Sequence, residues 1–123
     1  MATRAVYTFL GFPDEPAQHL YLHHDGYPAG AAFRLAEAKQ LSENPAAYLS
    51  SFLLTQPEAE SLVSPEQSGD AEYRYLVQLS GERRPAVRIE CWRRYPGESH
   101  WQRRCGPMLL TSFINRFLPD LGP

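Results

Sequence analysis

Cysteine is nearly absent from this 123-residue chain, which holds only Cys91 and Cys105. Two cysteines cannot build a disulfide framework. Without a C-x-x-C spacing they read as small buried hydrophobes, not as a redox pair. Lysine is scarcer still: Lys39 stands against eleven arginines, a bias that genomic composition explains as readily as selection for bidentate contacts. No apolar run approaches the roughly 20 residues that a membrane-spanning helix needs. The opening MATRAVYTF has no basic segment followed by an apolar core, so a cytoplasmic protein is expected. Nucleophile motifs, glycine-rich phosphate loops and HExxH are missing as well, so the sequence implies no cofactor.

What is present suits one folded domain, residues 1–123, long enough to bury a modest core without metals or disulfides. The net charge of −2 hides a division. Residues 1–82 carry 4 Lys and Arg against 11 Asp and Glu, whereas residues 83–123 carry 8 against 3. Seven of the later arginines lie between Arg83 and Arg104. Such a split suggests a basic surface on an acidic body, one that could meet an anionic partner or pair internally.

The pattern predicts an N-terminal hairpin. In RAVYTFLG, Ala5, Tyr7 and Phe9 share one side and Val6 and Leu10 the other. In QHLYLHH, Leu20 and Leu22 oppose His19, Tyr21 and His23. Pro28 fits the first turn of a helix running to about residue 41, with Ala29, Ala32, Phe33 and Ala36 as its apolar stripe. Asn44 and Pro45 suit the N-cap and first position of a second helix, with Tyr48, Leu49, Phe52 and Leu53 at helical spacing. Residues 56–70 are polar and acidic and read as an exposed loop. Then EYRYLVQL, AVRIECWRRY and HWQRRC form three strands joined by the turns SGERRP and PGES. Gly106-Pro107 is expected to open a final helix carrying Leu109, Leu110, Phe113, Ile114 and Phe117, ended by Pro119. The fold class is α+β: an antiparallel sheet of about five strands, order ββαα-βββ-α, with helices on one face.

Two places could carry chemistry. The first is His23, His24 and Asp25. Adjacent strand residues point to opposite faces, so His23 and His24 cannot share a metal without a bulge. His19 and His23 share a face but lie about 13 Å apart at ~3.3 Å per residue. No zinc site is therefore expected. Asp25 could orient His23 or His24 as a general base acting on a phosphate-containing substrate. The plainer reading is a turn: Asp25 accepts backbone hydrogen bonds and caps the next helix, and Gly26 supplies an unusual φ.

The second place is the Arg–Trp hairpin: Trp92, Arg93, Arg94, Trp101, Arg103 and Arg104. A four-residue loop at 96–99 would set Trp92 opposite Arg103 and Arg94 opposite Trp101, giving one face of alternating indole and guanidinium. That face suits an anionic or π-rich partner. Its plainer reading is a self-satisfied cation–π ladder. The aromatic stripe of the last helix is expected to be core, and could instead be a homodimer face.

The opening ATR and the run YLHHDGYP at residues 21–28 resemble a group of small phage- and prophage-associated proteins that share an H-[HW]-D-G-Y-P motif. The resemblance covers the first third of the chain and implies a mobile-element setting more than a chemistry. It leads to a non-enzymatic binding protein, an inhibitor of host defence of the anti-CRISPR kind. Its partner would be a host protein in a nucleic-acid-handling complex, or an anionic ligand. It would act through the basic Arg/Trp surface or, with the opposite charge assignment, through an acidic face at residues 58–70 that mimics nucleic acid.

Overall fold

Three helices cover one face of a six-stranded sheet in the computed structural model, which describes residues 3–13, 16–95 and 97–118. The strands are β1 (Ala5–Leu10), β2 (Gln18–Leu22), β3 (Glu60–Leu62), β4 (Tyr73–Ser80), β5 (Ala86–Arg93) and β6 (Gln102–Leu109). The helices are α1 (Pro28–Leu41), α2 (Tyr48–Thr55) and α3 (Leu110–Phe117). Across the sheet the order is β3-β2-β1-β4-β5-β6. Every neighbouring pair is antiparallel except β1 and β4, which run parallel. A parallel pair needs a long crossover, and here the connection from β1 to β4 contains β2, α1, α2 and β3. The class is the expected α+β, with six strands instead of about five.

The core follows the alternation in the strands. Tyr7, Phe9, Leu22, Tyr75, Val77 and Ile89 point to the helices and are fully buried. Phe52 of α2 closes on Tyr7 and Phe9, with ring centroids 5.3 and 4.9 Å apart, and Tyr7 stacks on Tyr75 at 5.0 Å. Because β1 is central, even its other side is covered: Val6 is inaccessible and Thr8 nearly so.

Four expectations shift. β3 forms inside the stretch read as a loop, pairing with β2 through His19↔Leu62 and Tyr21↔Glu60. Three residues without apolar alternation give no strand signal, and the edge of β2 supplies the template. α1 buries Ala31, Ala32, Leu35 and Ala38 and leaves Ala29 and Phe33 exposed. Alanine on nearly every side of this helix leaves its phase unmarked, and small residues let it lie close to the sheet. The last strand continues through Gly106 and Pro107, and α3 starts only at Leu110. β6 is an edge strand, where proline removes no ladder donor. Leu110, Phe113 and Ile114 then enter the core, so the inward side of the α3 stripe is not a dimer face, and Leu109 belongs to β6. Asn44 caps as expected, accepting from the Ala47 N–H at 3.0 Å, but it opens a 3-10 turn that leads into α2. Pro119 lies outside the described residues.

Candidate functional site

The sheet face turned away from the helices has a row running directly across it. Register places Glu60, Tyr21, Val6, Arg74, Trp92 and Arg103 side by side on β3, β2, β1, β4, β5 and β6. Trp92 faces Arg103, as the short-loop reading required, and the guanidinium lies 6.0 Å from the indole centroid. The ladder closes at Arg93↔Gln102, two residues short of the expected strand start. Arg94 and Trp101 nonetheless meet just beyond it, the guanidinium 4.5 Å from the ring centroid. Pro96 in the loop lies outside the described residues.

Trp101 folds back over the sheet. It packs with Leu62 against the small cluster of Val6, Tyr21 and Ala71, and the Arg74 guanidinium lies 5.5 Å from its ring centroid. Arg94 Nη2 donates to the Gly69 and Ala71 carbonyls at 2.8 and 2.9 Å. The same loop is tied to β2 by Asp70, which accepts from Tyr21 Oη at 2.8 Å and Ser68 Oγ at 2.9 Å and pairs with Arg4 at 3.2 Å. Partial burial works to raise the Asp70 pKa, but these hydrogen bonds and the Arg4 charge outweigh it and hold the carboxyl below its ordinary range.

Between Trp92 and Trp101 lies a groove of about 280 Å³, lined also by Thr8, Arg74, Tyr75 and Leu76. None of these lining residues is acidic. Thr8 Oγ1 is 2.9 Å from His19 Nδ1 at its floor. Sequence reasoning missed Thr8, His19 and Arg74 as parts of this place. The outward position of Arg74 follows from alternation in β4, but its place beside Trp92 depends on hairpin register.

The six hairpin residues do not form one surface. Trp92, Arg94, Trp101 and Arg103 share the open face. Arg93 and Arg104 instead flank Tyr95 near the helix-side margin, at 4.3 and 5.4 Å from its ring, and Arg104 donates to Tyr95 Oη at 2.6 Å. Arg93 also lies over Tyr73 and pairs with Glu72 at 3.6 Å. A bulge separates the Cys91↔Cys105 and Trp92↔Arg103 pairs, which passes over Arg104 in the ladder. No protein-family model, curated protein or solved structure matches the chain.

Asp25 is hydrogen-bonded to neither His23 nor His24 among the described residues, and the two imidazole centroids are 6.5 Å apart. His23 continues the open face, edge-on to Tyr21 at 4.5 Å, and its Nε2 is 3.1 Å from Glu60. The Asp25 carboxylate accepts from Tyr27 Oη at 3.3 Å, and Asp25 turns to a separate groove beside α1. It does not cap α1, whose N-cap residue is Tyr27, with no side-chain capping bond. His24 contributes its carbonyl to Arg34 Nη2 at 3.1 Å. Arg34, unnoticed in the sequence, also donates to Gln56 and, at 2.8 Å, to Glu58. The positive φ belongs to Asp25, at 56°, and not to Gly26. Among the described residues, no group of three His, Cys, Asp or Glu side chains is placed to hold a metal ion. Cys91 and Cys105 are free thiols on paired positions. Burial, then the neighbouring Cys105, pushes the Cys91 thiol up to about 12, and burial raises Cys105 too.

Proposed function

We propose that this chain is a non-enzymatic binding protein that engages an anionic, π-bearing partner through the open face of its sheet. The observation that supports this most is the placement of both tryptophans on that face, with the guanidiniums of Arg74, Arg94 and Arg103 beside them. Exposed indole and guanidinium groups are the side chains most often found at the energetic centre of interfaces. The opposite charge assignment is less favoured. Each carboxylate of residues 58–70 already has a cationic or imidazole neighbour: Glu58 with Arg34, Glu60 with His23, Glu66 with Arg74 and Asp70 with Arg4. A nucleic-acid mimic needs a row of uncompensated negative charge. A general-base enzyme is less favoured too, since Asp25 bonds Tyr27 and not an imidazole.

The resemblance of residues 21–28 to phage-associated proteins gives the setting. In it, such a face would interfere with a nucleic-acid-handling defence complex of the host. The test uses arginines that are exposed and outside the loop clamp. Arg88 lies on the open face opposite Gln78, and Arg103 is half exposed. Arg88→Glu with Arg103→Glu, used as bait in host extract, is expected to lose the partner that the unmodified protein retains, at unchanged melting temperature. A Lys39→Glu control, on the helix side, is expected to retain it. Undiminished capture by the double variant would place the active surface elsewhere.

A further inference from the structure

The groove between Trp92 and Trp101 is small, bounded by indole surfaces and free of carboxylates, and we infer that it receives one unpaired base of a single-stranded nucleic acid. This rests on the open face being the binding face, and it names what that face binds. Its volume of about 280 Å³ lies just below the roughly 300–1,000 Å³ of sites for drug-sized ligands. A base that enters would stack on Trp92, displacing the Arg103 guanidinium that stands 6.0 Å from its ring, and stacking is available to any base because every base has a π-face.

The polar groups are placed to match. Thr8 Oγ1 shares a hydrogen bond with His19 Nδ1 at the floor. Whichever of the two donates, the Thr8 oxygen keeps an unused lone pair, so the floor can accept from a base N–H. Arg74 lines the groove and is held only loosely by Glu66, at 3.8 Å, and it can turn to a phosphate. Arg103 stands at the rim beside Glu90 at 3.5 Å.

The same distances argue against a phosphopeptide or an acidic peptide as the natural ligand. Recognition of those depends on clustered, uncommitted guanidinium forks. Here Arg94 is bound to two backbone carbonyls and Arg103 faces Glu90, which leaves Arg74 as a single loosely held guanidinium and not a cluster. Charge is partly compensated, and of the two indoles Trp101 is taken up by its apolar cluster and by the Arg94 and Arg74 guanidiniums, whereas Trp92 is the more open ring, with Arg103 6.0 Å from its centroid. A duplex is disfavoured because its base faces are stacked and cannot enter a recess.

The chain has only two tryptophans, both at this groove, so intrinsic fluorescence reports on it directly. The full-length protein is titrated with short oligothymidylate and oligouridylate, with a duplex of equal length, and with a phosphoserine peptide. Quenching by the single strands is expected, with the duplex and the peptide at least about tenfold weaker. With about two phosphates neutralised, affinity for a single strand should fall only about sevenfold between 50 and 200 mM salt. Leu76→Tyr narrows the groove from its floor without touching a charge, and should weaken single-strand binding by roughly 5- to 150-fold, the value of one stacked base.

Equal binding of duplex and single strand would overturn the groove inference while leaving the binding face in place. So would binding that Arg88→Glu with Arg103→Glu abolishes and Leu76→Tyr spares. Preferential binding of the phosphopeptide would replace the ligand class. If no probe quenches and partner capture also ignores the open-face variants, both the inference and the reading beneath it fail. Leu76→Tyr is interpreted only with a native melting transition; Trp92→Ala, read through Trp101 fluorescence, is the second variant and should give the same loss.

Discussion

Gly26 is a glycine because the chain passes close to β1, not because its φ is left-handed. A Cβ there would stand 2.8 Å from the Thr3 carbonyl oxygen, 2.9 Å from the Arg4 carbonyl carbon and 3.0 Å from the Ala5 Cβ. The Gly26 N–H donates to Thr3 at 2.9 Å, and Tyr75 Oη donates to the Gly26 carbonyl at 2.5 Å, so the segment has no room to withdraw. Asp25 holds the left-handed conformation in its place. The two positions should therefore respond oppositely. Gly26→Ala is expected to destabilise by about 1–3 kcal/mol through overpacking. Asp25→Gly, which relieves a φ that L-residues adopt reluctantly, should be neutral or stabilise by up to about 1 kcal/mol. Paired thermal melts decide it: an unchanged Gly26→Ala would mean the approach to β1 is slack. The sequence marked this turn, through Asp25, Gly26 and Pro28, but could not say which residue bore which constraint. The deciding neighbour, Thr3 to Ala5, is remote along the chain.

In the β5–β6 hairpin, alternation and loop length were enough to set Trp92 against Arg103 and Arg94 against Trp101. Neither pattern could reveal that Arg94 reaches past Trp101 to the 69–71 backbone. Nor could they show that a bulge moves Arg104 out of the ladder, although alternation alone puts Arg93 on the face opposite Trp92 and Arg94. The Arg94 contacts depend on the loop before β4, which leaves no mark in the hairpin's own sequence. The hairpin arginines thus divide by role. Arg94→Ala removes the partner of two carbonyls, one of them on buried Ala71, and should cost about 1–3 kcal/mol. Arg103→Ala, exposed and 3.5 Å from Glu90, should change stability by less than about 0.5 kcal/mol. Urea denaturation of the two variants measures this. Equal, small effects would mean that the Arg94 contacts do not hold the loop.

Over the whole molecule, the buried acids are weak ones, and they link stability to alkaline pH. Burial raises Tyr7, Tyr48 and Tyr75 well above the ordinary phenol range and pushes Cys91 up to about 12. Their neutral forms are favoured by the folded state. The stability they contribute is therefore complete below the unfolded values, near 8.5 for a thiol and 10 for a phenol, and is lost as pH rises from there toward the folded values. Melting temperature is expected to hold up to about pH 8.5 and fall above it, with phenolate absorbance from the buried rings appearing together with loss of circular dichroism. Complete phenolate formation with native dichroism would refute the burial of these rings. The layers and the class were legible because alternating strands and a buried helix face leave a local mark. The parallel pairing of β1 with β4 was not, because adjacency across a crossover leaves none. That pairing also orders the assembly of the chain. Every other ladder joins strands within one contiguous half, β1 to β3 or β4 to β6, whereas Ala5 meets Tyr73 only after everything between them has been gathered in. Loop-closure entropy rises with the length enclosed, so the hairpins close early and the two halves join last, along a single seam at the centre of the sheet.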